Sequence, residues 1–405
     1  MKTLWVATTV SSLGSWLLVI AVPAEVFRLT GSPVATGVGL AIEALPALLV
    51  GPWAGVAVDR HDRRRTMIVA DLCAAVGVAL LFLCTGRSRV PLVYVGLLVE
   101  NVAVAFHRPA AGAAMPALVG TGPRLATTNA MTAFSSATLR LAGPPLGTLL
   151  LSWGGLPLVV GVDLASYLAS ALLSTRLPAL PGGGGSAGSA PSGGGGSARS
   201  ELPGGGPGRS GLRDGLRVLV SSSLLRVMLV SSWLFWTANA ALTALLVPFV
   251  VVRLHGAPQD LGYLIGALGA GYVVGSLASR AVLRRFATRT ALACCYGAVG
   301  VCFLALFHAP SLGSALVLVA LAGVPGAVAA VVTQHALQAR TPEDMIGRVA
   351  AAFLASDAAA AVLGALVGPL LAGAVGLGGA LDAFSGLVLA AACAAGRPAR
   401  RARPR

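Results

Sequence analysis

Apolar stretches of twenty or more residues alternate with short polar turns along nearly the whole of this 405-residue chain. A membrane-crossing helix needs about 20 apolar residues. The pattern predicts twelve, at 4–28, 34–58, 67–86, 90–113, 127–151, 153–175, 224–251, 260–282, 288–308, 311–336, 347–372 and 374–395. Between the sixth and seventh, PGGGGSAGSAPSGGGGSARSELPGGGPGRSG has no periodicity and reads as a flexible linker. The expected organisation is a six-helix bundle at 1–176, a cytoplasmic linker at 177–212, a second six-helix bundle at 213–396 and a basic tail at 397–405. The fold class is therefore an all-α membrane protein of twelve transmembrane helices in two bundles. The N-terminal stretch has Lys2 and a small-residue AVPA at 21–24, as a signal peptide does, but its apolar run continues to Phe27 and reads as the first helix.

Composition agrees with a bilayer. The chain is 56% hydrophobic and only 11% charged, whereas soluble domains carry about 25% charged residues. Its mean hydropathy is +0.84. The net charge of +15 would suggest nucleic acid in a soluble protein. Here the basic residues cluster in turns between apolar runs, which points to membrane orientation. With the N-terminus inside, 23 of the 29 basic residues fall on the cytoplasmic side, four fall outside, and Arg108 and Arg140 lie within spans. Both termini are then cytoplasmic. Only Lys2 is lysine, a bias of GC-rich coding sequences such as those of actinobacteria. The six cysteines all lie in apolar runs without metal or redox spacing and read as small packing residues.

The two bundles resemble one another. The fifth and eleventh spans each carry a Gly-Pro, then a Gly-rich turn, then an Asp in the following span, Asp163 and Asp382. Gly55-x3-Asp59-Arg60 has a counterpart in Gly275-x3-Ser279-Arg280. Internal repeats across a central linker are a signature of secondary transporters, with the substrate path between the halves.

The turn GVAVDRHDRRR at 55–65 is the densest cluster of charge. Asp59 ends the second span, where the helix dipole is already negative, so it requires an outside partner. The following arginines and the positive N-terminus of the fifth or eleventh span can serve. Gly55 lets such a helix approach closely. A plain orientation signal would account for the arginines but not for the acids. This turn resembles the loop signature of the major facilitator superfamily, Gly-x-x-x-Asp-Arg/Lys-x-Gly-Arg-Arg/Lys, with Gly55, Asp59, Arg60, Arg63 and Arg64 matching and Asp62 replacing the usual Gly. The Asp-Arg-x-Asp-Arg-Arg form and Asp71 are similar to the drug-exporter branch that includes macrolide efflux proteins and enterobactin exporters. The resemblance implies two six-helix bundles, secondary transport, and an inner-face latch between helices two and eleven built from Gly55, Asp59, Arg60, Arg63, Arg64 and Asp71.

AGPPLG at 142–147 removes backbone donors at Pro144 and Pro145, and so predicts a kink. Gly143 and Gly147 offer a small-residue face. Gly364, Gly368 and Pro369 repeat the arrangement in the eleventh span. The motif resembles part of the Gly-Pro signature of the superfamily's antiporters; a plain packing kink is the other reading.

Ionisable residues inside spans are functional candidates. Glu43, Glu100, Arg108, Arg140, Asp163, Asp357 and Asp382 qualify. A low-dielectric cavity disfavours charge on a carboxyl group, as proton coupling requires. Glu100 and Arg140 lie at similar depths and form either a pair that trades a proton for a substrate cation or a static buried pair. Glu43 and Asp163 are further proton-coupling candidates. Arg108 lies near an inner helix end and is placed to snorkel. Ser12, Ser15, Trp16, Phe134, Trp233, Trp236 and Asn239 are candidates for a substrate cavity, because aromatic faces suit amphipathic or cationic compounds; packing or an interfacial belt is the alternative for each.

No nucleotide-binding Gly-rich loop with Lys-Ser/Thr is present, and no enzyme constellation or metal spacing appears. The expected function is a bacterial inner-membrane exporter of a small amphipathic compound (a drug, macrolide-like antibiotic or siderophore). It would be driven by proton entry, would need no cofactor and would act as a monomer, with the small molecule, protons and lipid as partners and no nucleic acid. A lysophospholipid flippase or uptake carrier of the same fold is one alternative. A non-transporting membrane sensor on a carrier fold is another.

Overall fold

The computed structural model describes residues 2–84, 86–120, 123–180, 216–257, 260–341 and 346–396. The glycine-rich stretch from 181 and the basic tail lie outside the described residues. Gly55, Asp59, Phe134 and Arg140 are placed by backbone only, and their surroundings also lie outside the description.

The described residues form helices and turns. In chain order they are α1 (Lys2–Thr30), α2 (Pro33–Leu49), α3 (Gly51–Arg60), α4 (Arg63–Leu80), α5 (Val90–Val119) and α6 (Pro123–Thr175), followed by α7 (Ser223–Pro248), α8 (Asp260–Arg285), α9 (Thr288–Phe307), α10 (Leu312–Arg340) and α11 (Ile346–Gly396). Local chemistry sets their ends. Gly31 at φ 64 closes α1, a left-handed position that glycine adopts without strain. Ser32 then caps α2, accepting from the Ala35 amide at 3.3 Å, with Pro33 in the first helical turn. Ser311 and Ser314 form a reciprocal capping box at the start of α10.

Nine helices among the described residues are long and apolar enough to cross a membrane, not the twelve expected. Three features account for the difference. α6 runs 53 residues and α11 runs 51, each divided by a non-helical glycine, Gly155 at φ 66 and Gly376 at φ 82. The second expected span is two shorter helices, α2 and α3, joined at Val50 just before Gly51-Pro52. The remaining helices occupy the stretches that the apolar pattern marks.

Packing repeats between the halves. α1 lies along α6 as α7 lies along α11; α4 packs on α5 and α6 as α9 packs on α10 and α11; α2 meets α5 as α8 meets α10. Small residues make the closest contacts. A Cβ on Gly147 would collide with the Leu17 carbonyl of α1, and one on Gly143 would lie 2.5 Å from the Trp16 Cβ. In the second half, Cβ atoms on Gly364 and Gly368 would strike Thr237 and Ala241 of α7. Without a hydrophobic effect between helices in lipid, such close backbone approach supplies much of the association.

The halves meet mainly through two matching pairs, α2 with α11 and α6 with α8, and to a smaller extent where α1 and α2 touch α7. Pro369 sits over Gly37, and Pro145 sits over Gly266. Gly262 abuts Thr148, and Gly37 abuts the Ala365 carbonyl. These contacts lie towards the end of the bundle that carries the α1–α2 turn, Gly155 and Gly376. At the other end α3 packs on α5, α2 and α4, all of its own half.

Candidate functional site

Beyond Gly155, α6 carries Asp163, Ser166, Tyr167, Ser170 and Ser174. The spacing of three and four puts all five on one helical face. Their exposures are 0%, 6%, 1%, 0% and 0%. A buried polar stripe in an apolar helix needs partners, because an unmatched polar group in a low-dielectric interior is costly. The partners come from α1, α4 and α5.

Two layers are visible. In the first, the Tyr167 hydroxyl donates to Glu100 Oε1 at 3.0 Å and lies 2.8 Å from Ser15 Oγ on α1. Ser166 donates to Asp163 Oδ1 at 3.2 Å and also to the Asp163 carbonyl at 2.8 Å. Gly14 of α1 faces this pair so closely that a Cβ there would collide with Asp163 Oδ1. Glu100 is 5% exposed, and both Glu43 and Asp163 lie within electrostatic reach of it. Three carboxyl groups thus share one interior. Asp163 Oδ2 has no hydrogen-bond partner among the described residues.

The second layer lies nearer the α3–α4 turn. Ser170 donates to Asp71 Oδ2 at 2.7 Å, and the Ser11 side chain of α1 also faces this carboxyl. His107 Nε2 of α5 is 3.4 Å from Asp71 Oδ1. Asp71 is 1% exposed and stands inside the bundle, rather than with the charged residues at the turn itself.

The turn is tied into its own half. Asp62 caps α4, accepting from the Arg65 amide at 2.8 Å, and its other oxygen accepts from the Leu180 amide at 3.0 Å. Its backbone, φ −63 and ψ 119, is ordinary extended geometry that needs no glycine. Arg63 donates to the Ala113 carbonyl of α5 at 3.1 Å, and Arg64 to the Thr175 carbonyl at the end of α6. The Thr175 carbonyl is one that the helix end leaves open, while Ala113 lies within the last two turns of α5. Arg60 is exposed.

In the second half, Ser232 donates to Asp357 Oδ1 at 2.8 Å, and Trp236 lies beside the same carboxyl. Phe235 stacks on Tyr296 with centroids 5.0 Å apart. Trp233 and Trp236 remain 37% and 39% exposed on one stripe of α7. Asn239 and Trp16 are half-buried. Asp382 is 3.7 Å from His308, with its side chain 47% exposed. It does not share the surroundings of Asp163, which its place in the repeat suggested.

Of the expected site residues, the structure brings Ser15, Glu100, Glu43 and Asp163 together, and separately places Trp236 beside Asp357. It leaves Trp233 and Asn239 apart from any such cluster. Sequence reading missed Tyr167, Ser166, Ser170, Ser11 and His107. The signal was present as the three-and-four spacing of polar residues within the sixth span.

The chain matches the model of the Major Facilitator Superfamily over residues 4–365. It is 30% identical over 182 residues to macrolide efflux protein A of Streptococcus pyogenes, which is 44% of this chain and 45% of that protein, so the match spans under half that relative's length. It is 26% identical over 381 residues to the enterobactin exporter EntS of Citrobacter koseri, covering 93% of this chain and 85% of that one. Among solved structures, the nucleoside transporter NupG superposes with TM-score 0.76 at 12% identity, covering 97% of this chain and 98% of that chain. A bacterial homologue of ferroportin in an inward-facing state superposes with TM-score 0.74 at 14% identity, covering 98% and 96%. With its two matching helical halves, its all-helical multi-pass build and a family match over most of its length, this chain belongs to the Major Facilitator Superfamily, a family of transporters and not of enzymes.

Proposed function

We propose that the protein exports a small amphipathic compound across the bacterial cell membrane in exchange for protons, by alternating access between its two halves. One observation carries the coupling. Glu100 and Asp163 are buried beside one another, with Tyr167 and Ser166 donating to them and Glu43 close by. Ionisable groups gathered inside a membrane bundle mark a path for protons or ions. The direction rests on likeness to a macrolide efflux protein and an enterobactin exporter.

The membrane reading has twelve crossings, with α6 and α11 each turning back at their glycine and α2 with α3 crossing as a kinked pair. The arginine-rich turns orient both termini to the cytoplasm. The Pro–Gly contacts between halves then lie at the outer end, so the halves are shut outside. In this state Arg63 and Arg64 brace α5 and α6; a latch across the halves at Asp59 belongs to the alternate state. The α7 stripe of Trp233 and Trp236 lines the route taken by the cargo.

Accumulation of radiolabelled erythromycin, and separately of enterobactin, in cells expressing the protein tests this. Expression lowers accumulation of one of them, and a protonophore restores it. Efflux that ignores the protonophore would sink antiport. Unchanged accumulation of both probes would sink export of these two classes.

A further inference from the structure

The carboxyl group of Asp71, expected in the inner-face latch, stands instead inside the N-terminal half and outside the coupling layer around Glu100. It is 1% exposed, on a helix surrounded by apolar residues. Ser170 of α6 and Ser11 of α1 are its neutral partners. The group facing it from α5 is His107, 9% exposed, whose Nε2 points at Asp71 Oδ1 across 3.4 Å and has no hydrogen-bond partner among the described residues. Of the other charged groups, Arg108 follows His107 on α5 and is exposed, while Arg63 and Arg64 are held by the Ala113 and Thr175 carbonyls. Beneath Ser170, the Ser174 hydroxyl is fully buried and also without a partner.

The pair therefore lies on the same α6 face as Asp163 and Tyr167, but nearer the arginine turn. Asp163 and Ser170 are seven residues apart, about 10 Å along a helix, with Ser166 and Tyr167 between them. A carboxyl group and an imidazole in contact, each short of full hydrogen bonding, can exchange a proton with little rearrangement.

We propose that Asp71 and His107, with Ser170, form a second proton-binding station, through which protons pass between the Glu100–Asp163 layer and the arginine-turn end of the N-terminal half. This rests on the proton-coupled reading above. A proton leaving the upper carboxyl layer adds to the Asp71 carboxylate. The Asp71 O–H bond then breaks as an N–H bond forms at His107 Nε2, leaving a carboxylate facing an imidazolium. The imidazolium then loses its Nδ1 proton towards the turn, and tautomer exchange of the neutral ring returns both groups to their starting forms, so protons and charge balance. Ser170 positions Asp71 by donating to Oδ2, which leaves Oδ1 turned to the imidazole.

The test uses the full chain in lipid with two measurements. Infrared difference spectra between acid and alkaline buffer report carboxyl protonation without any cargo. Asp71→Asn should remove part of the acid-induced carboxyl band, and His107→Gln should move the pH at which that part appears. In proteoliposomes, both variants should lower proton-driven erythromycin efflux at least about tenfold, while counterflow, which needs no net proton movement, is retained. If Asp71→Asn does not fold, His107→Gln alone decides. An infrared titration unchanged from wild type in either variant overturns the station, as does loss of counterflow in parallel with driven efflux. A wild type that titrates normally but shows no proton-driven efflux would instead defeat the antiport reading.

Discussion

The two halves of this protein share a helix arrangement and differ in what fills one face of it. Counting from the break glycines, Asp163, Ser166, Tyr167, Ser170 and Ser174 stand where the second half has Phe384, Leu387, Val388, Ala391 and Ala395. Phe384, Val388, Ala391 and Ala395 are as buried as their polar counterparts, at 5%, 0%, 0% and 0%. Phe384 and Val388 join a core with Phe249, Phe303 and Phe307, where Phe249 and Phe307 meet edge to face at 5.0 Å. The same backbone thus accepts a polar seam or an apolar one. Apolar packing has no hydrogen bonds to satisfy, so a polar seam retained in one half points to a task. The second half puts its carboxyls elsewhere, Asp357 against Ser232 and Trp236 and Asp382 at an exposed end. On this face the first half is polar and the second apolar.

The largest effect should come from the seam itself. Glu100→Gln keeps the shape and removes the titrating group, and proton-driven efflux should fall about 100-fold, whereas Asp382→Asn should leave it within about twofold. Equal losses would erase the distinction between the halves. Next is packing. Gly147→Ala drives a Cβ into the Leu17 carbonyl, and thermal unfolding in detergent should register about 1–3 kcal/mol of destabilisation. Gly373→Ala, with nothing within 4 Å, is the control and should gain slightly. Ser170→Ala strips Asp71 Oδ2 of a donor and should cost about 1–3 kcal/mol. The matching Ala391→Ser should cost less, because its hydroxyl can return to a carbonyl of its own helix. The smallest effect is at the turn. Asp62→Ala loses the cap of α4 and the tie to Leu180, worth about 1 kcal/mol. Asp62→Asn should restore most of it.

Much of the fold was legible beforehand, because in a bilayer the length of an apolar run is itself a structural constraint. The helices fall where the runs do. The exceptions are local: Val50 to Pro52 breaks one run into α2 and α3, while Gly155 and Gly376 break α6 and α11 by a single non-helical residue. The site was legible only in part. Glu100, Asp163 and Ser15 stood out as charged or polar residues in apolar runs. Tyr167, Ser170 and His107 did not, since each is unremarkable until it faces a carboxyl group from another helix. Asp62 looked like a departure from a glycine pattern and is in fact a helix cap.

Sequence alone therefore determined that the chain is a membrane protein of two related helical halves, because hydropathy and repeated motifs act through run length and need no neighbours. Tertiary structure decided which faces meet. Only the packing of α6 against α1, α4 and α5 turns a spacing of three and four into a buried seam. Only the crossing of α2 with α11 and of α6 with α8 shows Gly37 under Pro369 and Gly266 under Pro145. Those contacts join residues more than a hundred positions apart, and their pairing is set by shape complementarity between helices, which no local pattern encodes.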